Sequence, residues 1–304
     1  MRNDITVMIL TFNEEENIRA VIESVQNITE NIFVVDSYST DGTLDILDEL
    51  GITYVQHPFE NYSIQRNWAQ ENNPFKTEWV LNLDADEPIT PELEKWILND
   101  FEHEKEKADG FMFSRKTIFM GRWIKHGDQY PNYHLRLYKS KLGKCEDKAY
   151  DQHYVVDGTV KQIAHADIIN TVAANLDDFV IAHNRWATKE AIEILTTRET
   201  GDVEAKLTGN AIERKRWLKQ NIFEKAPQFS RSFMYFFYRY IVRLGFLDGK
   251  EGLVFFVLQS FWFRFVIDAK VFEVRNRAER EGKSIGEVIK ELYGVEVGGA
   301  DKKV

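Results

Sequence analysis

The stretch ITVMILTFNEEENIRAVIESVQNITENIFVVD, residues 5–36, decides how the first half of the chain folds. Residues 5–10 (ITVMIL) form a continuous, β-rich apolar run, the pattern of a strand covered on both faces. Residues 15–25 then carry Ile18, Val21, Ile22 and Val25 at helical spacing, with Asn13 as the expected N-cap. Residues 32–35 return to the buried-strand pattern. Working outward, residues 43–50 read as a second helix, 52–55 as a third strand, 63–70 as a third helix and 79–83 as a fourth strand. Pro91 suits the first position of another helix. This alternation predicts an α/β fold with a mostly parallel sheet and helices on both faces. Further strands at 110–120, 133–138 and 159–170 predict a mixed extension of that sheet, and from residue 189 the pattern is helical. The expected division is an α/β body over 1–188 followed by a helical region over 189–304.

With 43% hydrophobic residues in a chain of 304, a real core is available and general disorder is excluded. Cys145 is the lone cysteine, which excludes an internal disulfide framework and a multi-thiolate metal cluster. The net charge of −10 argues against a nucleic-acid binder. That charge is uneven: residues 1–210 hold 21 Lys/Arg against 37 Asp/Glu, whereas residues 211–250 hold 9 against 3. The first apolar run is too short for a signal peptide. No stretch reaches the length expected of a membrane span, since residues 253–267 are interrupted by Gln259, Ser260 and Arg264. The expectation is an intracellular protein, soluble or membrane-associated.

In parallel sheets ligands bind beyond the carboxyl ends of the strands. Polar residues cluster there at 11–15, 36–41 and 84–87. The first turn, TFNEEE, has no glycine and three carboxylates, which disfavours a dinucleotide site, and there is no P-loop motif. A bound diphosphate would then need a cation. Asp84 and Asp86, two apart in an extended segment, project to the same side and suit Mg²⁺ or Mn²⁺ shared with phosphate oxygens. The alternative is an ordinary acidic turn closing a strand. Asp36 closes the second strand, where a carboxylate can accept from a ribose hydroxyl or a base N–H. Thr40 or Asp41 can cap the helix that follows.

These motifs, in this order, resemble the inverting family 2 glycosyltransferases of GT-A fold. The resemblance rests on TFNE at 11–14, Asp36 with STDGT at 39–43, QRN at 65–67 and DAD at 84–86. QRNW at 65–68, LDADE at 83–87, GRWI at 121–124, LRLY at 135–138 and GFLDG at 245–249 resemble the branch of lipopolysaccharide inner-core β-glucosyltransferases and exopolysaccharide enzymes. The resemblance implies a nucleotide-sugar-binding half at 1–100 and an acceptor half at 101–188. It implies a donor pocket of Thr11, Asn13, Glu14, Asp36, Ser37 and Arg66 that takes a UDP-sugar. Asp36 would read the base, Asp84 would face the ribose or sugar, and Asp86 would be the main ligand of Mg²⁺ or Mn²⁺, with Asp84 beside it. Ser37 stands where many relatives carry a second acid. The Val-His-Glu motif of the branch is absent, the comparable segment reading YDQHY at 150–154.

An inverting transfer needs a general base facing the departing diphosphate. The candidates are Asp128, Asp147, Asp151 and Asp157; Asp151 is the first choice, in a polar cluster beside His153, and Asp128 is the second. His153 is a base, a metal ligand, an acceptor contact or a structural histidine. Arg115, Arg122, Trp123 and Lys125 are expected in an acceptor subsite, with Trp123 stacking on a sugar ring, or else as a buried Trp among snorkelling cations. Residues 230–244 (SRSFMYFFYRYIVRL) and 253–267 (LVFFVLQSFWFRFVI) interleave aromatics with arginines. This suits residues 211–280 to a membrane headgroup region, or to a hairpin packed on the body or in a homo-oligomer interface. The expectation is a glycosyltransferase peripheral on the inner face of the cell membrane, acting on a glycan or lipid-linked acceptor. Its rivals are a nucleotide-sugar-forming nucleotidyltransferase, which would need a Gly-rich basic first loop, and an inactive membrane-docked scaffold.

Overall fold

The strand predicted at residues 5–10 becomes the axis of the sheet. The computed structural model describes residues 4–147, 152–173, 175–196 and 227–297. β1 (Ile5–Thr11) is buried along almost its whole length and runs parallel to both neighbours, β2 (Ile32–Asp36) and β4 (Trp79–Asp84). β3 (Thr53–Gln56) extends the parallel set beyond β2. On the other flank β7 (Tyr133–Lys139) lies antiparallel to β4 and to β5 (Gly110–Phe119), and β10 (Val160–Thr171) is parallel to β5. The order β10-β5-β7-β4-β1-β2-β3 is therefore a parallel half with a mixed extension, as the sequence predicts. β6 (Arg122–Trp123) pairs with β5, and β8 (Gly143–Cys145) forms a separate ladder with β9 (Tyr154–Val156).

The helices cover the sheet with the residues whose spacing predicts them. α1 (Ile18–Val25) buries Ile18, Val21, Ile22 and Val25. It starts three residues later than expected, and Asn13 is not its cap: Asn13 takes a left-handed φ of 55° and its Oδ1 accepts from Thr40 N–H at 2.8 Å. α2 (Thr43–Glu49) and α3 (Tyr62–Asn72) follow β2 and β3. α4 (Pro91–Asn99) has its proline in the first turn, and the Thr90 hydroxyl caps it by accepting from Leu93 N–H at 3.3 Å. α5 (Phe101–Glu104) adds Phe101 to an aromatic cluster with Trp79, Trp96, Phe111 and Phe113. The main core joins this cluster to the inner faces of β1, β2, β4 and α1.

The chain divides into two compact units, Met1–Lys125 with Gln129–Val172, and His126–Asp128 with Ala173–Val304. α6 (Leu176–Thr196) runs unbroken across residue 188, where the sequence suggests a domain limit, so the second unit starts earlier. In that unit α7 (Ser230–Phe237) continues as a π-helical turn, Tyr238–Val242. A 3₁₀ turn (Gly245–Asp248) leads into α8 (Gly249–Phe256), a second π turn (Val257–Trp262) and α9 (Phe263–Glu281). α10 (Ile285–Tyr293) starts with a capping box between Ser284 and Glu287. Ala187 and Ala191 of α6 pack on Phe263, Ile267 and Val271 of α9. The expectation that no segment has the length of a membrane span is corrected: Gly245–Glu281 is a continuous helix long and apolar enough by length and composition. Gln259, Ser260 and Arg264 interrupt the apolar sequence without interrupting the backbone, which passes through the π turn.

Candidate active site

Three parallel strands end in one row. Register sets Thr11 opposite Asp36 and Leu10 opposite Asp84. The chain leaves β1 toward β2 and β3, then crosses to β4 on the other flank of β1. The loops after β1 and β4 diverge at this reversal and leave a crevice at the strand ends.

The two loops flanking β1 and β2 are zipped together by side-chain-to-backbone hydrogen bonds. Asn13 N–H donates to Ser39 Oγ and Glu14 N–H to Thr43 Oγ1, each at 2.8 Å. Glu15 N–H donates to Asp41 Oδ2 at 3.1 Å, and Gly42 N–H to Glu15 Oε2 at 2.6 Å. Asp36 is fully buried; its Oδ2 accepts from Ser39 N–H and from Gln56 Nε2, each at 2.9 Å, and its Oδ1 from the Ser39 hydroxyl. The carboxylate expected to meet a nucleotide base also anchors its own loop. Ser37 Oγ accepts from Gln65 Nε2 at 3.2 Å. The buried Thr11 hydroxyl, by contrast, has no hydrogen-bond partner. Phe12 and Tyr38, one and two residues past the strand ends, stand half exposed.

Beyond β4 the acidic turn meets three arginines. Asp84 Oδ1 pairs with Arg66 at 3.1 Å, and its Oδ2 with Arg136 at 3.1 Å and Arg115 at 3.7 Å. Glu87, fully buried, pairs with Arg136 at 2.5 Å and with Arg115. Burial opposes ionisation of Asp84, but Arg136, Arg66 and Arg115 override it and hold the carboxyl far below the usual range. Burial and the repulsion of neighbouring Arg136 bring Arg115 down to about 10. Arg66 also lies over the rings of Tyr62 and Tyr154, at 5.3 and 5.2 Å. The Nε atoms of Arg66, Arg115 and Arg136 are buried without partners.

Asp86 and Glu14 behave oppositely to Asp84. Burial, then the charge of Asp84, pushes the Asp86 carboxyl up. Burial also raises Glu14; the hydrogen bond from Asn17 opposes this, while the charges of Asp86, Asp41 and Asp84 reinforce it. Two neighbouring carboxylates thus carry charge that their surroundings under-compensate, and a divalent cation is the simplest group to supply the balance. Among the described residues no three Asp, Glu, His or Cys side chains form a closed metal cluster. Asp86 is the carboxylate of this turn that could hold a divalent cation, with Glu14 electrostatically coupled to it. Burial, then Arg115 and Arg136, drives His134 down to about 2, so its ring is neutral. Its Nε2 lies 3.0 Å from Asn132 Nδ2.

The remaining expected residues separate. Arg115 belongs to the ion-pair cluster under the acidic turn. Trp123 meets Tyr130 edge-on at 5.0 Å, with Lys116 and Lys125 at 4.8 and 5.6 Å from its ring. His153 is exposed on the β8–β9 ladder, its Nδ1 3.1 Å from Glu146 Oε1. Asp128 belongs to the second unit and pairs with Arg243 at 3.1 Å. Asp151 lies outside the described residues. Sequence reasoning assigned no role to Arg136, Glu87, Phe12 or Tyr38. A lone arginine inside the apolar strand YHLRLYK, and aromatics in polar loops at strand ends, were the available signals.

Residues 6–156 match the family Glycosyl transferase family 2. The chain is 28% identical over 265 residues to an uncharacterized glycosyltransferase of Rickettsia conorii, covering 84% of this chain and 86% of the relative. Among solved structures it is similar to S. aureus TarS 1-349 in complex with UDP-GlcNAc (TM-score 0.44, 15% identity, 92% of this chain and 93% of that one). It is also similar to glucosyl-3-phosphoglycerate synthase from Mycobacterium tuberculosis in complex with Mn²⁺ and UDP-glucose (TM-score 0.31, 21% identity, 37% and 43%). The sheet described above is the GT-A arrangement of this family.

Proposed function

Because residues 6–156 are a glycosyl transferase family 2 domain, which makes the chain a glycosyltransferase, we propose that it is a metal-dependent, inverting enzyme that moves a sugar from a UDP-sugar to a glycan or lipid-linked acceptor. The carrying observation is the contrast at the β4 end between Asp84, held ionised by three arginines, and Asp86, left under-compensated. Asp86 would hold Mg²⁺ or Mn²⁺ together with diphosphate oxygens; when bound, the ion stabilises charge building on the leaving diphosphate. Asp84 is the counter-ion that aims Arg66 and Arg136 at the same crevice, and the fork of Arg66 suits a phosphate oxygen. Thr11 Oγ1 offers a hydrogen bond to the nucleoside, and Phe12 and Tyr38 offer an apolar surface for its base. Asp36 and Asn13 act by fixing the loop that carries Ser37 and Tyr38. Asp151 is the proposed base that takes the acceptor proton in a single displacement, with inversion at the sugar carbon. His153 and Trp123 are the proposed acceptor-side residues.

The resemblance to lipopolysaccharide and exopolysaccharide enzymes supports a polysaccharide precursor as acceptor. An acceptor of that kind supports a peripheral position on the inner face of the cell membrane.

Calorimetry of UDP binding with Mn²⁺ or Mg²⁺ tests this reading. Binding should weaken at least about tenfold in excess chelator, and Asp86→Asn should remove the metal dependence. Equal affinity with and without chelator would refute the metal role. A panel of nucleotide-sugars, read by hydrolysis or thermal shift, would identify the donor.

A further inference from the structure

The helical hairpin of the second unit presents a long apolar stripe outward. Along α7 and its π turn the buried side chains are polar, Ser232 and Arg239, whereas Phe233, Met234, Phe237, Ile241 and Val242 are exposed. The bend exposes Leu244, Phe246 and Leu247 around the buried Asp248. On α8 and the π turn after it, Leu253 and Val257 are exposed, while Phe255 and Phe256 turn inward together with Gly252 and Ser260. A helix packed in water turns its apolar stripe inward; this hairpin buries Phe255 and Phe256 but also carries a long apolar stripe outward.

The inward polar groups are satisfied within the unit. Arg239 Nε donates to Gly127 O at 2.7 Å, and Asp248 accepts from His126 N–H at 2.8 Å. Ser232 Oγ donates to Phe229 O at 2.6 Å. Glycines allow the close packing: a Cβ on Gly245 would come within 2.7 Å of the Phe256 ring, and one on Gly252 within 2.6 Å of Asp248. Small residues and polar contacts inside, with apolar side chains outside, are how helices pack in an apolar solvent.

We propose that this hairpin inserts into one leaflet of an anionic bilayer, with Phe233, Phe237, Val242, Phe246 and Leu247 as the inserted residues. The inference deepens the peripheral-membrane part of the proposed function and rests on it. Residues 230–242 make a helix of roughly 20 Å, short of the roughly 30 Å hydrocarbon core, so the hairpin enters without crossing. The long helix does not cross either. Past Trp262 its apolar residues turn inward, Phe263, Ile267 and Val271 onto α6 and Val274 and Ala278 onto α10. Packing and charge select lipid over a second copy of the chain: a polar interior under an apolar outer stripe is the arrangement of helices in an apolar solvent, and the exposed cations beside the bend, Arg243 and Lys250, complement an anionic headgroup layer.

The test is flotation of the full chain with phosphatidylglycerol/phosphatidylethanolamine vesicles, wild type against Phe237→Ser/Val242→Ser/Leu247→Ser. These three side chains are half exposed or more, so their loss should leave circular dichroism and UDP binding unchanged. The variant should partition at least about a hundredfold more weakly, at about tenfold per apolar side chain. A separate Phe237→Trp chain, read as the difference from wild type with its seven native tryptophans, should shift its emission to the blue on vesicles, a readout that needs no disruptive substitution. Flotation of the triple variant equal to wild type, or unshifted emission from the Phe237→Trp chain, would overturn the hairpin while leaving membrane association to another segment. Wild type that fails to float would overturn both. A wild-type dimer that ignores vesicles and that the triple variant dissolves would assign the face to a second copy.

Discussion

Glu87→Gln is the sharpest probe of the arginine cluster that underlies the acidic turn. Glu87 has no exposed surface and takes guanidinium donors from both Arg115 and Arg136. Glutamine preserves its shape and one acceptor oxygen while removing the charge. Breaking one side of a buried ion pair costs about 3–5 kcal/mol, because the partner charge is left in a poor solvent. Asp84 still reaches both arginines, at 3.1 and 3.7 Å, and 27% of its side chain meets water, so compensation is partial. The expected loss therefore lies near the low end, ~3 kcal/mol. Urea unfolding followed by tryptophan emission would measure it, read as a shift in midpoint at constant slope. Glu87→Gln combined with Arg115→Gln should lose less than the sum of the two single changes, because the second removes a charge stranded by the first. A loss under about 1 kcal/mol, or strict additivity in the double variant, would refute the account of Glu87 as the buried counter-ion.

The remaining predictions concern protons and chemistry. Asp86 and Glu14 are raised by burial, so within the fold they bind protons at a pH where free carboxylates are ionised. Their ionisation therefore costs stability as pH rises through that window, and protons compete with a cation there. Metal-assisted UDP affinity should accordingly decline on acidification before pH reaches 3.8, the ordinary Asp value. Asp84 is depressed, so its contribution to stability is present above that value and is lost only in stronger acid. Titrating UDP affinity against pH would check this; a profile flat down to that value contradicts it. Asp151→Asn should abolish sugar transfer while leaving UDP affinity within about twofold, in calorimetry alongside a turnover assay. Near-normal turnover would move the base to another residue.

The periodicity of residues 5–36 and the later strand patterns were enough to set the α/β order, because burial on both faces forces unbroken apolar runs. The strand ends carrying Thr11, Asp36 and Asp84 were legible for the same reason: a polar residue closing such a run marks where the sheet stops. Roles within that row were not legible. Asp36 and Asp84 look alike in sequence, yet one is absorbed by Ser39 and Gln56 and the other by Arg66, Arg115 and Arg136. Those arginines come from a helix and two distant strands, so only the antiparallel insertion of β7 between β4 and β5 brings them together. The hairpin shows the same limit. Sequence alone determined that residues 230–267 are aromatic and basic, but not which way the apolar side chains face. That is a property of packing, since only the tertiary contacts of Arg239, Asp248 and Ser260 turn the polar side inward and leave the apolar side out.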